Sequence, residues 1–378
     1  MTTSPSTTTL STPPAPALPL HRRAARSLLE SSWPLLKAGL FMLDAETAHH
    51  LTLRGLGTAS RLGALKLLPE VAEAAPVTVA GLRFSNRVGL AAGLDKAGTC
   101  VDGFGAMGFG FVEIGTLTPR PQPGNPQPRL FRIVEREAIV NRMGFNNPGI
   151  AQGRTNAEAS GRRQWKGVLG VNIGKNFDTS NTSAADDYVL GLHGAWEWAD
   201  YVTVNLSSPN TKGLRDLQQD DSCRALLRIL QGEQKALAQR HGRHVPVFIK
   251  ISPDLEPAHL RSLARIFVEE KLEGVIATNT TLSRTHTEGL RHSGEGGGLS
   301  GAPLTERATA LISDLARELD GALPIIGAGG IMDGHDAVEK LRAGAVLVQL
   351  YSGLIYRGPA LVRECVEACA AAVREEKL

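Results

Sequence analysis

Cysteine is scarce. Cys100, Cys223, Cys365 and Cys369 are scattered over 378 residues with no CxxC pair. That indicates no disulfide framework and no cysteine metal site, and it fits a reducing compartment. Cys365 and Cys369 lie four apart on an Ala-rich terminal segment, where buried free thiols are the simpler reading. Long apolar runs are missing too. No stretch reaches the roughly 18 residues a membrane-spanning helix needs. Net charge is only +3, too little to argue for a nucleic-acid partner. A secretory signal places charge before an apolar core, yet residues 2–20 carry no charged side chain. A dinucleotide-binding GxGxxG is absent, and the nearest match, Gly327-Ala328-Gly329-Gly330, lacks the pattern.

What is present is ordinary for a globular protein, with 42% hydrophobic and 21% charged residues, but glycine is abundant at 41 residues. Much of it stands where apolar runs stop, as tight turns and close ligand approach require. Residues 1–28, rich in Ser, Thr, Pro and Ala, read as a disordered tail. Arg22, Arg23 and Arg26, with no acid before Glu30, have the composition of a transit peptide as an alternative. Residues 29–64 read as a helical hairpin appendage. Ser32 is placed to cap a first helix of about eleven residues with Pro34 in its first turn, and Asp44 to cap a second. The first helix is apolar nearly all round, which suits packing on the main domain or lying in a membrane surface. Residues 65–78 read as a linker.

From Val79 to the end the texture changes. Eight short apolar runs recur, at 88–95, 111–119, 168–174, 201–208, 247–253, 274–280, 324–331 and 345–353. Segments of helical period lie between most of them, such as 222–240, 257–271, 305–319 and 335–343. Continuous apolar strands alternating with helices mean a parallel sheet. Eight such units predict an α/β fold, a closed (β/α)8 TIM barrel over residues 79–378. Two insertions interrupt it: 120–145, with a hairpin LFRIVEREAIVN, and 281–304.

In this fold the chemistry sits at the C-terminal strand ends. There stand Asp95-Lys96, Thr116, Asn172, Asn205 with Ser207 and Ser208, Lys250, Thr278-Asn279-Thr280, Gly329-Gly330 and Tyr351-Ser352-Gly353. The glycine and serine turns after strands seven and eight suit a phosphate. No Ser-His-Asp pattern, paired carboxylates or metal ligands occur among these ends. Two lysines, many amides and hydroxyls remain, a set that reads a planar amide-rich ring and leaves the hard chemistry to a cofactor. Any single Asn or Thr there is equally well a satisfied core group; eight polar ends at one face are not.

Nine motifs, in order, resemble the membrane-associated, quinone-dependent class of the dihydroorotate dehydrogenase family. They are LAAGLDK, GTLTPRPQPGNPQPRLFR, NRMGFNN, VNIGKN, NLSSPNT, GVIATNTT, GGLSG, PIIGAGGI and LVQLYSG. The resemblance runs from about Leu35 to Gly358. It implies FMN in the barrel, oxidation of dihydroorotate to orotate in pyrimidine biosynthesis, and a respiratory quinone as acceptor. It assigns FMN to Ala92, Gly93, Thr116, Asn172, Asn205, Lys250, Thr278, Gly301, Gly330, Tyr351 and Ser352. It assigns substrate to Lys96, Asn141, Arg142, Met143, Gly144, Phe145, Asn205, Asn210, Asn279 and Thr280. Ser208 takes the role of catalytic base, where soluble classes of the family carry cysteine. Residues 33–62, with Ala48 and His49, resemble the quinone-site appendage. The class further implies peripheral attachment through 29–64 to the cytoplasmic side of the cell (inner) membrane, with no obligate protein partner. Rival readings are a non-redox barrel lyase or isomerase acting on a phosphorylated metabolite, a flavin enzyme using fumarate or NAD, and an inert barrel bearing a membrane module.

Overall fold

The structure, a computed structural model, describes residues 20–67, 73–161 and 165–376. Eight parallel strands form its centre: Val88–Leu90, Phe111–Leu117, Val168–Ile173, Tyr201–Asn205, Val247–Ile251, Val275–Ala277, Ile325–Ala328 and Leu347–Leu350. Each pairs with its neighbour in the chain, and the last pairs with the first, Val348 opposite Val88. The sheet is therefore a closed barrel, and its strands are the eight apolar runs. Both faces of each strand are covered, by interior side chains and by outer helices, so no polar alternation survives in the sequence. The helices turn one stripe inward. Thr305–Leu319 buries Ala308, Leu311, Ile312, Leu315 and Leu319, at helical spacing.

Aromatic rings fill the N-terminal end of the barrel. A hairpin, Val77–Val79 and Leu82–Phe84, carries Phe84 against Phe111, edge-on at 5.2 Å. Tyr201 stacks on Phe248 at 5.1 Å. Glycine on an adjoining strand makes room in each case: a Cβ on Gly89 would lie 2.3 Å from the Phe111 ring, and one on Gly170 2.2 Å from Tyr201. The expected linker 65–78 thus ends in a strand, and it begins in a short 3-10 turn, Ala64–Leu67.

At the opposite mouth the two insertions meet. Leu130–Ile133 and Ala138–Asn141 form the expected hairpin, and Gly298–Gly301 adds a third antiparallel strand with Gly298 opposite Asn141. This small sheet carries Asn141 and Ser300 to the rim of the barrel.

Two helices precede the barrel, α1 (Leu20–Phe41) and α2 (Ala45–Arg61). The start of α1 corrects the expected cap at Ser32 and the expected tail to residue 28. Leu, Arg and Ala between 20 and 29 are strong helix formers, and the helix runs through Pro34 instead of beginning there. Residues 1–19 of the expected tail lie outside the described residues. Asp44 does cap α2, accepting from the N–H groups of Glu46 at 2.9 Å and Thr47 at 3.0 Å. No helix among the described residues is long and apolar enough to cross a membrane. Leu35, Met42, Leu51 and Leu62 of this pair are nonetheless exposed.

One buried ion pair ties α2 to the barrel. Arg129 donates to Glu46 from Nη2 at 2.7 Å and from Nε at 3.1 Å, and its Nη1 donates to the carbonyls of Pro123 and Asn125. Burial alone raises the Glu46 carboxyl, but the Arg129 hydrogen bonds and charge more than offset this and hold it below its ordinary value. Removing one partner strands the other charge. Arg129→Met is expected to lower unfolding stability by about 3–5 kcal/mol, read by chemical denaturation. A loss under about 1 kcal/mol would show that α2 is held by its apolar contacts instead.

Candidate active site

A cleft opens at the C-terminal mouth. It is lined by residues from seven of the eight strand ends or the loops after them, Val168–Ile173 excepted, and by both insertions. Ala92, Gly93, Thr116, Asn205, Lys250, Thr278 and Tyr351 of the expected cofactor set face it. So do Lys96, Asn141, Met143, Gly144, Phe145, Asn205, Asn210, Asn279 and Thr280 of the expected substrate set. Asn172, Gly301, Gly330 and Ser352 are not among the cleft's lining residues. Ser352 donates to Ser300 Oγ at 2.8 Å, and Ser300 lines the cleft. The guanidinium of Arg142, also in the expected substrate set, does not line the cleft: it pairs with Glu295 at 2.7 Å and lies 4.6 Å over the Phe131 ring. Strand alternation explains this, since Asn141 ends the strand facing the mouth and the next side chain points away.

The two serines separate cleanly. Ser207 is fully buried, donates to Asn205 Oδ1 at 3.3 Å and accepts from Asn279 Nδ2 at 2.9 Å. Ser208 lines the cleft, and its Oγ accepts the Asn210 N–H at 3.3 Å. The loop that carries it continues through Thr211, which is buried, and turns at Gly213, whose φ of 67° lies in the left-handed region. Arg215 pins this loop, donating to the Ser207 carbonyl at 3.1 Å, the Thr280 carbonyl at 3.1 Å and Asp254 at 3.0 Å.

Both lysines are held ready for negative charge. Asp95 is fully buried and accepts the N–H groups of Thr99 and Cys100, fixing the loop that presents Lys96. Lys96 Nζ donates to the Gly93 carbonyl at 2.9 Å. Lys96 is half-buried at the cleft, and burial pulls its ammonium down to about 8. His49 on α2 is pushed down to about 3 by burial and then by Lys96, so it is neutral. Lys250 is buried, and burial lowers its ammonium against the opposing pull of Glu113. No protein group hydrogen-bonds Lys250 Nζ among the described residues.

Three buried oxygens at the cleft also lack a protein partner: Asn210 Oδ1, Thr280 Oγ1 and Gln349 Oε1. Native interiors rarely leave such atoms unpaired, so these point to ligand contacts. Together with Lys250 and the backbone turns at Gly329 (φ 113°) and Gly330 (φ 71°), they suit a flat, amide-rich ring bearing a phosphate. A Cβ on Gly330 would lie 2.3 Å from Thr305 N, so only glycine permits that turn. The flavin fits this donor set.

Gln349 and Glu113 have no counterpart among the residues expected from sequence. Each stands inside an apolar strand run, which offers no polar pattern to mark it. The Asp333, His335 and Asp336 group away from the cleft brings its ligand atoms within 4.8 Å of one another. Asp333 caps a helix and Asp336 accepts the Met332 N–H, so both acids already serve the backbone.

The sequence profile of the family described as dihydroorotate dehydrogenase matches residues 74–372. A dihydroorotate dehydrogenase (quinone) of Akkermansia muciniphila is 56% identical over 335 residues, 89% of this chain and 96% of that protein. One of Burkholderia pseudomallei is 56% identical over 344 residues, 91% of this chain and 99% of that protein. The crystal structure of the Eimeria tenella enzyme in complex with ferulenol superposes with a TM-score of 0.80 at 38% identity, covering 90% of this chain and 96% of that one. The ligand-free Eimeria tenella structure gives 0.77 at 40% identity, covering 85% and 95%. With its closed barrel, its polar strand ends and these relatives, the chain belongs to the dihydroorotate dehydrogenase family.

Proposed function

We propose that this chain oxidises dihydroorotate to orotate in pyrimidine biosynthesis, with FMN as cofactor and a respiratory quinone as electron acceptor. The observation that carries the reading is that Ser208, and not Ser207, faces a cleft walled by Lys96, Lys250 and the amides of Asn141, Asn205, Asn210 and Asn279. Ala92, Gly93, Thr116, Asn172, Asn205, Lys250, Thr278, Gly301, Gly330, Tyr351 and Ser352 would hold the FMN. When bound, FMN supplies the hydride acceptor.

The protein then has one proton to take. Ser208 Oγ removes it from C5 as the C6 hydride leaves, and the C5–C6 double bond of orotate forms. The Asn210 N–H bonded to Ser208 Oγ stabilises charge growing on that oxygen. Lys96 meets the substrate carboxylate as a compact point charge. Lys250 supplies a cation where negative charge develops on the ring system. Thr211, three residues after Ser208, begins the path by which the proton leaves. Closure of the 207–218 loop at Gly213 excludes water from the reacting carbons.

α1 and α2 give the quinone its port. Phe41 and Tyr356 meet edge-on at 5.4 Å, Arg132 lies 4.5 Å over Phe41, and exposed Leu35 and Met42 extend the apolar surface outward. This pair attaches the enzyme peripherally to the cytoplasmic side of the cell membrane.

Anaerobic dihydroorotate is expected to bleach the yellow protein, and a quinone in detergent to restore the colour. A colourless protein would favour a non-redox barrel. Ser208→Ala is expected to keep its flavin but lose more than about 10⁴-fold in the rate of flavin reduction. Reduction at wild-type speed would remove Ser208 from the mechanism. Wild-type flavin reduction should quicken with pH, because the serine must lose its proton; a flat profile from about pH 6 to 10 would contradict this. The KM for dihydroorotate should rise above about pH 8, where Lys96 in the free enzyme gives up its charge. Replacing Leu35 and Met42 together by Asp should leave flavin reduction intact while quinone turnover in vesicles falls at least about tenfold. Unchanged vesicle turnover would place the membrane contact elsewhere.

A further inference from the structure

Glu113 sits in the middle of the second barrel strand with no solvent exposure. Four side chains from three other strands donate to it. Asn172 Nδ2 reaches Oε1 at 2.8 Å. Tyr201 OH, Gln349 Nε2 and Thr203 Oγ1 reach Oε2 at 2.9, 2.9 and 3.2 Å. Burial and then Glu113 push the Tyr201 phenol well up, so it stays a donor.

A carboxylate only accepts hydrogen bonds. Its neighbours must therefore turn their N–H groups towards it, and the choice propagates. With Asn172 Nδ2 committed to Glu113, Asn172 Oδ1 faces the other way, where it accepts from Thr116 Oγ1 at 2.6 Å and Asn205 Nδ2 at 3.2 Å. Asn205 Oδ1 is then left to accept from Asn279 Nδ2 at 3.3 Å. Asn279 Oδ1 in turn accepts the Thr280 N–H at 2.8 Å. Gln349, its Nε2 likewise committed, leaves Oε1 as an unpartnered acceptor at the cleft. The chain of amides runs one way, from the barrel centre to the substrate end of the site. An amide and its flipped form have nearly the same shape, so packing alone does not choose between them.

We propose that Glu113 is a positioning residue: its carboxylate sets the orientation of Asn172, Asn205, Asn279 and Gln349, and so decides which atoms the cleft presents to flavin and substrate. The proposal rests on the flavin reading of the cleft. Glu113 touches neither ligand and acts through the amides.

The test is a swap. Asn172→Asp sets two acceptors against each other. Glu113→Gln removes the accept-only centre and frees Asn172 to flip. In the double variant the Gln side chain at 113 donates to the Asp side chain at 172, so the link is remade with its polarity reversed. The remaining Asp oxygen still accepts from Thr116 and Asn205, and the Gln oxygen still accepts from Tyr201 and Gln349. Volume and net charge match the wild type.

FMN binding, followed by flavin fluorescence, is expected to weaken at least about tenfold in each single variant, the worth of a hydrogen bond to a charged group. The swap should recover most of that loss, and the KM for dihydroorotate should recover with it. A residue that only filled space would give no recovery on swapping. A double variant no better than the worse single one overturns the proposal. If a single variant fails to fold, a folded swap variant supports the proposal and an unfolded one overturns it. A wild-type chain that binds no FMN would overturn the flavin reading separately. The unfolding midpoints of the four as-purified proteins would then still report whether the swap restores the link.

Discussion

Closure of the barrel is the constraint on which everything else depends. Pairing of Leu347–Leu350 with Val88–Leu90 turns an open sheet into a ring. Once the ring is closed, all eight strands run the same way and all their C-terminal ends share one mouth. Groups as distant in sequence as Lys96, Ser208, Lys250 and Tyr351 then line a single cleft. The rings at the other end, Phe84, Phe111, Tyr201 and Phe248, keep the interior filled without competing for that mouth. Small residues beside them, Gly89 and Gly170, are what allow it.

Inside the ring, polarity is arranged in layers. The aromatic layer lies at the bottom. Glu113 and its four donors form the next, and the amides above pass that order to the cleft. A charged group this deep is destabilising unless every lone pair is used and its neighbours are fixed. Here the cost is offset by four donors on three other strands, and the same bonds prevent the site amides from flipping. Stability and ligand recognition thus share one set of contacts. At the rim, the Glu46–Arg129 pair extends the same logic to the appendage. Arg129 also holds the Pro123 and Asn125 carbonyls, while Asn125 Nδ2 donates to the carbonyls of Arg142 and Asn210. Helix α2 and the loop that carries Ser208 are therefore mechanically connected.

Legibility in the sequence followed burial. Doubly buried strands must be apolar throughout, so all eight stood out, and so did helices with one inward stripe. Polar residues at strand ends stood out by contrast. Ser32 and Pro34 misled about α1 because local start signals compete with the helix propensity of the residues before them, and over 20–31 propensity prevailed. Arg142 was drawn into the site by its neighbours in a motif, yet strand alternation sends it outward to Glu295. The third strand of the rim sheet joins Ala138–Asn141 to Gly298–Gly301, segments too distant in the chain for any local pattern to connect.

The sequence by itself determined the barrel, the hairpin in its first insertion, the capped second helix and the ring of polar strand ends, because each rests on local periodicity or local chemistry. The family resemblance added the proposed roles of Ser208 and FMN. Tertiary structure alone decided the rest. It turned Ser207 into a bonded core group and left Ser208 facing the cleft, a distinction between adjacent identical residues that composition does not contain. It also made Glu113, a lone acid in an apolar run, the common acceptor for four side chains. Such a role exists only once separate strands converge, because hydrogen-bond direction is a property of the assembled network and not of any segment of the chain.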